Sequence, residues 1–390
     1  MKSALEILLV ISVFLLFYPI VIYPALLWLI GKLAKNPVLK KEGYTPGITF
    51  IVAAYNEADL IEDCINSILQ SDYPKEKINI IAGSDGSTDS TLALLKKLAL
   101  SHSGIKVYEF SRAGKNRMIN ELYPLVETEL IGFLDADCRL DKKAIHNAVE
   151  NLSDLSVGMT ISKVQIMMDD NDPGSGAAGE SFYQNYESFL RRKETSIASN
   201  INGLGSFLAL RRELMNKLPN DKVCDDFFII LNCIENGKRV IYDDEIVTYE
   251  VRGKNLKAEA SRRVRLVSGG LATISNKKAL LSPSRGWIAF FLWSHKTLRW
   301  FIPFYIIMII TFSATLSINH ESYLWIPLTL VALFLLSFAG AMFEKAGVNI
   351  RLLKLIVFFS VMNIGFIRGI FRFFKGGQNA VWDRSGLKNL

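Results

Sequence analysis

The segment Asp135-Ala136-Asp137 places two carboxylates one residue apart, directly after an apolar run containing Ile131, Phe133 and Leu134. Acids at the end of a buried strand can hold a divalent cation by oxygen ligands and leave coordination positions for a phosphate. Alone the pattern is weak, since Asp-x-Asp often marks only a turn. Here it has company. Glu57 follows an apolar run at 48–54, and Asp85 follows another at 78–82. Asp225-Asp226 heads a helix-like stretch, and Arg262 and Arg265 stand three apart, on one face of a predicted helix.

The elements that would position these residues alternate. β-like runs at 48–54, 78–82, 106–110 and 130–134 are separated by helical spacings at 58–70, 87–99 and 115–123. In the first of these helices Leu60, Ile61, Cys64, Ile65, Ile68 and Leu69 share one side. Repeated βα units predict a mainly parallel, doubly wound sheet. Ligands of such sheets bind outside the carboxyl ends of the strands. Glu57, Asp85, Asp135 and Asp137 all fall there. Gathering like charges on one rim has no structural purpose unless a cation and a diphosphate hold them together. No Gly-x-Gly-x-x-Gly follows the first run and no Gly-Lys-Ser/Thr phosphate loop occurs, which argues against a dinucleotide or P-loop site. The acid pairs Asp169-Asp170 and Asp243-Asp244 read as loop residues, and 170–176 as a polar loop.

Composition points to a membrane. Half of the 390 residues are hydrophobic and the mean hydropathy is +0.24. Residues 7–30 carry no charge, enough to cross a bilayer and too long for a cleaved signal peptide. Pro19 and Pro24 are expected to kink that helix. Residues 300–318 and 323–343 form a predicted hairpin of spans. Residues 355–367, between Lys354 and Arg368, fit a tilted span or a re-entrant or surface helix. Lys32, Lys35, Lys40 and Lys41 follow the first span, so the positive-inside rule puts the central region in the cytosol at the cell membrane. The net charge of +7 reflects such membrane-edge basic residues. No basic-aromatic groove pattern indicates nucleic acid. Cys64, Cys138, Cys224 and Cys233 match no zinc spacing and read as reduced thiols.

Taken in order, these motifs resemble the membrane-bound family 2 glycosyltransferases of GT-A fold, the polysaccharide synthases and ceramide glucosyltransferase among them. The resemblance covers roughly residues 48–270. Ala53-Ala54-Tyr55-Asn56-Glu57 resembles the opening strand, and Ser84-Asp85-Gly86-Ser87-Thr88-Asp89 the second acidic motif. Gly114-Lys115 resembles the Gly-Lys motif and Asp135-Ala136-Asp137 the metal motif. Gly205-Ser206 resembles the acceptor-channel motif, without its usual aromatic approach. Cys224-Asp225-Asp226 resembles the motif holding the base, with Asp225 in place of Glu. Arg262–Leu266 resembles the diphosphate clamp, with Leu266 in place of Trp. The resemblance implies three regions: an anchor and basic linker at 1–44, a GT-A domain at 45–285, and a C-terminal membrane region at 286–390.

It further implies donor contacts from Ala54, Tyr55, Glu57, Asp85, Lys115, Asp135, Arg262 and Arg265, with Asp85 on the uracil of a UDP-sugar. Mg²⁺ or Mn²⁺ would be held by Asp137 and Asp135. Asp226, with Asp225, would act as base, and Gly205 and Ser206 would line the acceptor path. A single base implies inversion; the second carboxylate of a retaining glycosidase has no evident counterpart. The expected partners are a UDP-sugar, a lipid-linked or glycan acceptor, the bilayer and a membrane partner subunit that could supply further helices. Leu266 offers no flat face for stacking a sugar ring, so transfer of one or a few sugars is expected over processive polymer synthesis. A non-catalytic nucleotide-sugar-binding scaffold is the alternative of another class; the presence of every key acid speaks against it.

Overall fold

The computed structural model describes residues 2–167, 175–203, 205–219, 224–251, 256–346, 348 and 350–376. Eight strands form one sheet in the order β3-β2-β1-β4-β7-β6-β8-β5. They are β1 (Ile48–Ala54), β2 (Ile78–Asp85), β3 (Ile105–Phe110), β4 (Leu130–Asp135), β5 (Cys138–Leu140), β6 (Val157–Met167), β7 (Phe207–Arg211) and β8 (Arg239–Val251). The β3-β2-β1-β4 half is parallel, as the βα alternation predicts. β7 then runs antiparallel to β4 and β6, β8 pairs parallel with β6, and β5 closes the far edge antiparallel to β8. All seven residues of β1 are buried, the pattern of a central strand covered on both faces.

Fourteen helices are used below: α1 (Lys2–Phe17), α2 (Tyr23–Leu33), α3 (Ile61–Leu69), α4 (Thr91–Ser101), α5 (Lys115–Leu122), α6 (Ala144–Asn151), α7 (Ser175–Ile197), α8 (Asp225–Glu235), α9 (Leu256–Asn276), α10 (Trp287–Phe291), α11 (Leu298–Trp300), α12 (Ile302–Ser317), α13 (Trp325–Lys345) and α14 (Arg351–Phe374). The helix expected at 87–99 starts later, at Thr91, because Asp89 bends back to accept the Thr91 N–H at 3.0 Å. Asp243 and Asp244 are not loop residues. They lie within β8, where the β6–β8 register jumps from Ser162↔Asp243 to Lys163↔Val247. That irregularity turns Asp243 onto Asn151 Nδ2 at 2.8 Å and Asp244 onto Arg192 Nη1 at 2.9 Å. Residues 170–174 of the predicted polar loop, and Asp169-Asp170, lie outside the described residues; Ser175 and Gly176 open α7. All four cysteines are free thiols.

Among the described residues three helical stretches are long and apolar enough to cross a membrane: Ser3–Leu33, Glu321–Phe343 and Leu352–Phe374. The first joins α1 and α2 through a π-helical turn, Tyr18–Ile22, that contains Pro19. The span predicted at 300–318 corresponds to α12, and a further helical stretch, Trp287–Trp300, meets it at 59°. Pro303, in the first turn of α12, lacks the N–H that would continue the preceding helix. The segment at 355–367 belongs to the longer α14, which packs along α9 and α7 of the central region. Gly365 and Gly369 make that approach: a Cβ on either would come within 2.7 Å of the Cβ of Arg263 or Val267 on α9.

Candidate active site

The carboxyl ends of β1, β2 and β4 lie side by side because the register pairs Ala54 with Ser84 and Ala53 with Asp135. Asp85, at the end of β2, is buried. Its carboxylate accepts the Ala113 N–H at 2.8 Å, the Gly114 N–H at 3.0 Å and Arg112 Nη1 at 2.8 Å. Asp85 therefore anchors the loop that leads into α5, whose first residue is Lys115. Gly114 needs its freedom there, with φ of 97°. The Arg112 guanidinium lies over the Tyr55 ring, 3.2 Å from its centroid. Asn56 takes a left-handed conformation with φ of 54°, and its side-chain oxygen accepts the Thr88 N–H at 2.8 Å. Ala54 is buried beside Ser84. Glu57 is fully buried, so it sits beneath the rim and not on its open edge, where the strand-end rule alone would put it.

Lys115 joins two parts of the site. Its ammonium lies 2.7 Å from Asp135 at the end of β4 and 2.7 Å from Asp225 at the start of α8. Burial opposes its charge, yet Asp135 and Asp225 hold its pKa well above the ordinary lysine value. Burial also works against ionisation of Asp225, but Lys115 outweighs it and, with Arg265, leaves that carboxyl below its usual range. The neighbour moves the other way. Burial, and then the negative charge of Asp225, raise the Asp226 carboxyl, against the Phe227 N–H that it accepts at 2.7 Å. Adjacent carboxyls pushed apart in this way divide into a fixed charge and a proton acceptor. Both acids also occupy the first turn of α8, where the helix dipole favours them, so the two sequence readings of this pair coexist.

The Asp135 carboxyl is raised although Lys115 lies against it. Burial pushes its carboxyl up to about 7; Lys115 opposes this, while Asp137 and Asp225 add to it. A divalent cation beside Asp135 and Asp137 would offset this crowding of like charge. Among the described residues no three His, Cys, Asp or Glu side chains converge as a metal site of their own. That suits Mg²⁺ or Mn²⁺, hard cations that take one or two carboxylates and complete their shell with phosphate oxygens and water. The residues present thus fit the ion.

On the opposite side of the site, Gly205 packs directly on Asp226; a Cβ there would lie 3.3 Å from the Asp226 carboxylate. The Ser206 carbonyl accepts the Asp135 N–H at 3.1 Å, and its hydroxyl donates to Glu250 at 3.1 Å. Arg265 on α9 is exposed and close enough to Asp225 to stabilise its charge. Arg262 lies one turn earlier on the same helix.

Several residues here were not singled out from the sequence. Arg112 follows the end of β3, where the same strand-end rule would have found it, and Glu250 lies near the end of β8. A larger group left no sequence signal. Glu187, on α7, accepts Arg299 Nη1 at 2.5 Å and Asn202 Nδ2 at 2.8 Å, and lies 3.2 Å from His295 Nε2 and 3.5 Å from Arg191. Glu194, two turns on, lies 2.6 Å from His295 Nδ1 and accepts the Tyr23 hydroxyl of α2 at 2.7 Å. Both glutamates are almost fully buried.

Comparison with known proteins agrees with the resemblance. The family model described as "Glycosyltransferase like family 2" matches residues 46–269. A poly-beta-1,6-N-acetyl-D-glucosamine synthase of Staphylococcus aureus strain MSSA476 is 26% identical over 274 residues, covering 66% of this chain and 65% of that protein. The namesake enzyme of Staphylococcus epidermidis is 30% identical over 149 residues, 35% of each chain. The chain thus spans just under two thirds of the Staphylococcus aureus relatives' length. In three dimensions it is similar to a mannosyltransferase, PcManGT of Pyrobaculum calidifontis, solved in complex with GDP-Man and Mn²⁺. That match has a TM-score of 0.72 and 21% identity, and covers 95% of this chain and 99% of the other. At that identity the likeness shows a shared fold.

Proposed function

The chain belongs to glycosyltransferase-like family 2, and from that premise we propose that it is an inverting membrane glycosyltransferase that moves a sugar from a UDP-sugar to a lipid or glycan acceptor. The observation that carries this reading is the Lys115 bridge between Asp135 and Asp225. It ties the metal-motif strand to the helix bearing the base, so donor and acceptor chemistry share one cleft.

In the reaction an acceptor hydroxyl attacks the anomeric carbon as Asp226 takes its proton, a contribution of about 10²–10⁴-fold. The anomeric C–O bond to the diphosphate breaks, and UDP leaves with the electron pair. Asp137 and Asp135 would hold Mg²⁺ or Mn²⁺, which when bound neutralises charge on the leaving diphosphate. Arg262 and Arg265 reinforce this with charge-assisted hydrogen bonds. Gly205 keeps side chains off Asp226, leaving room for the acceptor. Tyr55 and Arg112 offer a flat cationic face at the rim, suited to a nucleobase. Asp85 holds the loop that presents Arg112 and Lys115, and a uracil would add to a carboxylate already engaged there. The lysines after α2 favour a cytosolic catalytic domain at the cell membrane.

A second reading, processive synthesis, is favoured by the polymer synthases among the relatives. Leu266 and the lack of an aromatic residue before Gly205-Ser206 favour one or a few transfers. The test is UDP release from a panel of UDP-sugars, UDP-N-acetylglucosamine first, followed by product sizing. Release that depends on acceptor and metal supports the transferase. Donor binding without release for every acceptor would return the scaffold reading. Long polymer appearing while most acceptor is still unused would overturn the preference for few transfers.

A further inference from the structure

The apolar helices do not all share one core. Leu9 of α1 packs with Ile309 and Leu316 of α12 in a cluster that Leu330 of α13 also joins. Glu6, near the start of α1, accepts the Tyr323 hydroxyl beside the hairpin link at 2.9 Å. Among the described residues α14 has no member in that cluster. Its Phe358, Met362, Phe366 and Ile370 are buried instead in the core that holds Val267 of α9 and Leu190 of α7. The Phe358 ring lies 6.3 Å from that of Tyr183 on α7. Gly365 sits against Arg263, and Gly369 against Val267, so α14 and α9 advance together in four-residue steps and run in the same direction. α9 is part of the catalytic domain: it follows β8 and carries Arg265 toward Asp225.

We infer that α14 is an interfacial helix and not a further span: it lies along the bilayer face that bears the catalytic domain, one side on α9 and the other in lipid. Length and hydropathy alone admit it as a span. Packing decides otherwise. Its 24 residues extend about 36 Å, of which about 18 Å, from Phe358 to Ile370, is fixed on the domain core. The rest is split between two ends, each far short of the roughly 30 Å hydrocarbon core. Charge agrees. Lys354 stands near one end and Arg368, Arg372 and Lys375 near the other. Basic residues at both ends suit a helix whose ends share one face, the face where Lys32 and Lys35 follow α2. Leu352, Phe359, Phe371 and Phe374 are exposed, with Arg368 and Lys375 among them. Such a side puts its apolar groups into the acyl boundary while its cations reach the headgroups. The lipid surface is therefore the partner of α14, and through Gly365 and Gly369 the helix holds α9, with Arg262 and Arg265, at the depth of that surface.

Two measurements on the full chain test this. In the first, a membrane-impermeant maleimide is applied to intact cells and to inverted vesicles, and labelling is read at each engineered thiol by mass spectrometry. Val348→Cys and Lys375→Cys flank α14, Leu100→Cys marks the catalytic domain and Asn319→Cys marks the hairpin link. The first three are expected to react from one side of the membrane and Asn319→Cys from the other. Lys375→Cys reacting together with Asn319→Cys would make α14 a span and overturn the inference. Which side carries Leu100→Cys tests the cytosolic placement of the domain separately. In the second, nitroxides are attached to Phe359→Cys and Phe374→Cys in lipid nanodiscs, and their depth is read from collision with oxygen and with a water-soluble nickel chelate. The two sites are about 22 Å apart along the helix. Both are expected at the same shallow depth, about 5–10 Å into the headgroup and acyl boundary. A Phe359→Cys nitroxide near the bilayer centre would return the span, and both nitroxides in water would remove the lipid contact; either result overturns the inference. These readouts need no turnover, so failure of the transferase reading would leave them unchanged.

Discussion

The molecule contains two concentrations of charge, and they are built in opposite ways. At the sheet rim Lys115 lies between Asp135 and Asp225, whose chain neighbours Asp137 and Asp226 add further carboxylates, and burial leaves the Asp135 carboxyl raised. At the membrane junction Glu187 and Glu194 are surrounded by Arg191, His295, Arg299 and Tyr23, and burial's penalty on Glu187 is outweighed first by Arg299 and then by His295, leaving its carboxyl well below its usual range. The first cluster gathers carboxylates at strand and helix ends, which suits a divalent cation. The second surrounds its acids with cations and hydrogen-bond donors, most of them from other helices. The raised Asp135 carboxyl marks the rim as the candidate place for a cation. The matched glutamates of the junction mark it as the joint that fastens the domain to its helices.

Loss of the rim's proposed cation should have the largest effect. Asp137→Asn, or EDTA with the wild type, should abolish turnover while thermal unfolding stays unchanged; full activity in chelator would break the contrast at its base. Next is Asp226→Asn, expected to lower transfer by about 10²–10⁴-fold with UDP-sugar affinity retained. Collapse of donor binding with unchanged transfer per bound donor would instead make Asp226 a donor-site or structural residue. At the junction the effect should fall on stability. Glu187→Gln leaves Arg299 and Arg191 buried without their anion and should cost roughly 3–5 kcal/mol in denaturant unfolding. A Glu187→Gln protein as stable as wild type would remove the joint from the comparison.

Two smaller effects sharpen it. Because a deprotonated Asp226 is required, activity should fall as pH drops through its raised pKa. Asp225→Asn removes the like charge that helps raise it, so the acid limb of kcat/KM should move to lower pH. An unmoved limb would show that Asp225 does not tune its neighbour. Tyr23→Phe deletes one hydrogen bond to Glu194 and should cost about 1 kcal/mol, seen as a small fall in unfolding midpoint with kcat intact.

The rim was legible in the sequence because each of its parts is local. An apolar run followed by an acid names a strand end, and parallel topology alone brings Asp85 and Asp135 to one edge. Glu57 obeyed the same rule yet is buried, since the rule locates a strand end and not the direction a side chain takes beyond it. The bend before α12 was readable in principle from Pro303, but unbroken hydropathy masked it. Lys115 could be read only as a helix start beside a glycine; its place between Asp135 and Asp225 depends on two elements more than 80 residues apart in the chain coming together.

What the sequence determined by itself, then, was the alternation of elements, the acids at their ends and the uncharged lengths that suit a bilayer, because all of these follow from periodicity and composition over short windows. Tertiary structure alone decided the antiparallel continuation of the sheet through β7, β6 and β8, the seating of α14 against α9, and the junction cluster. The partners of Glu187 lie as far off as Arg299, 112 residues away. A charged side chain announces its type in the sequence, but whether it is matched, buried or left in surplus depends on which distant helices pack around it.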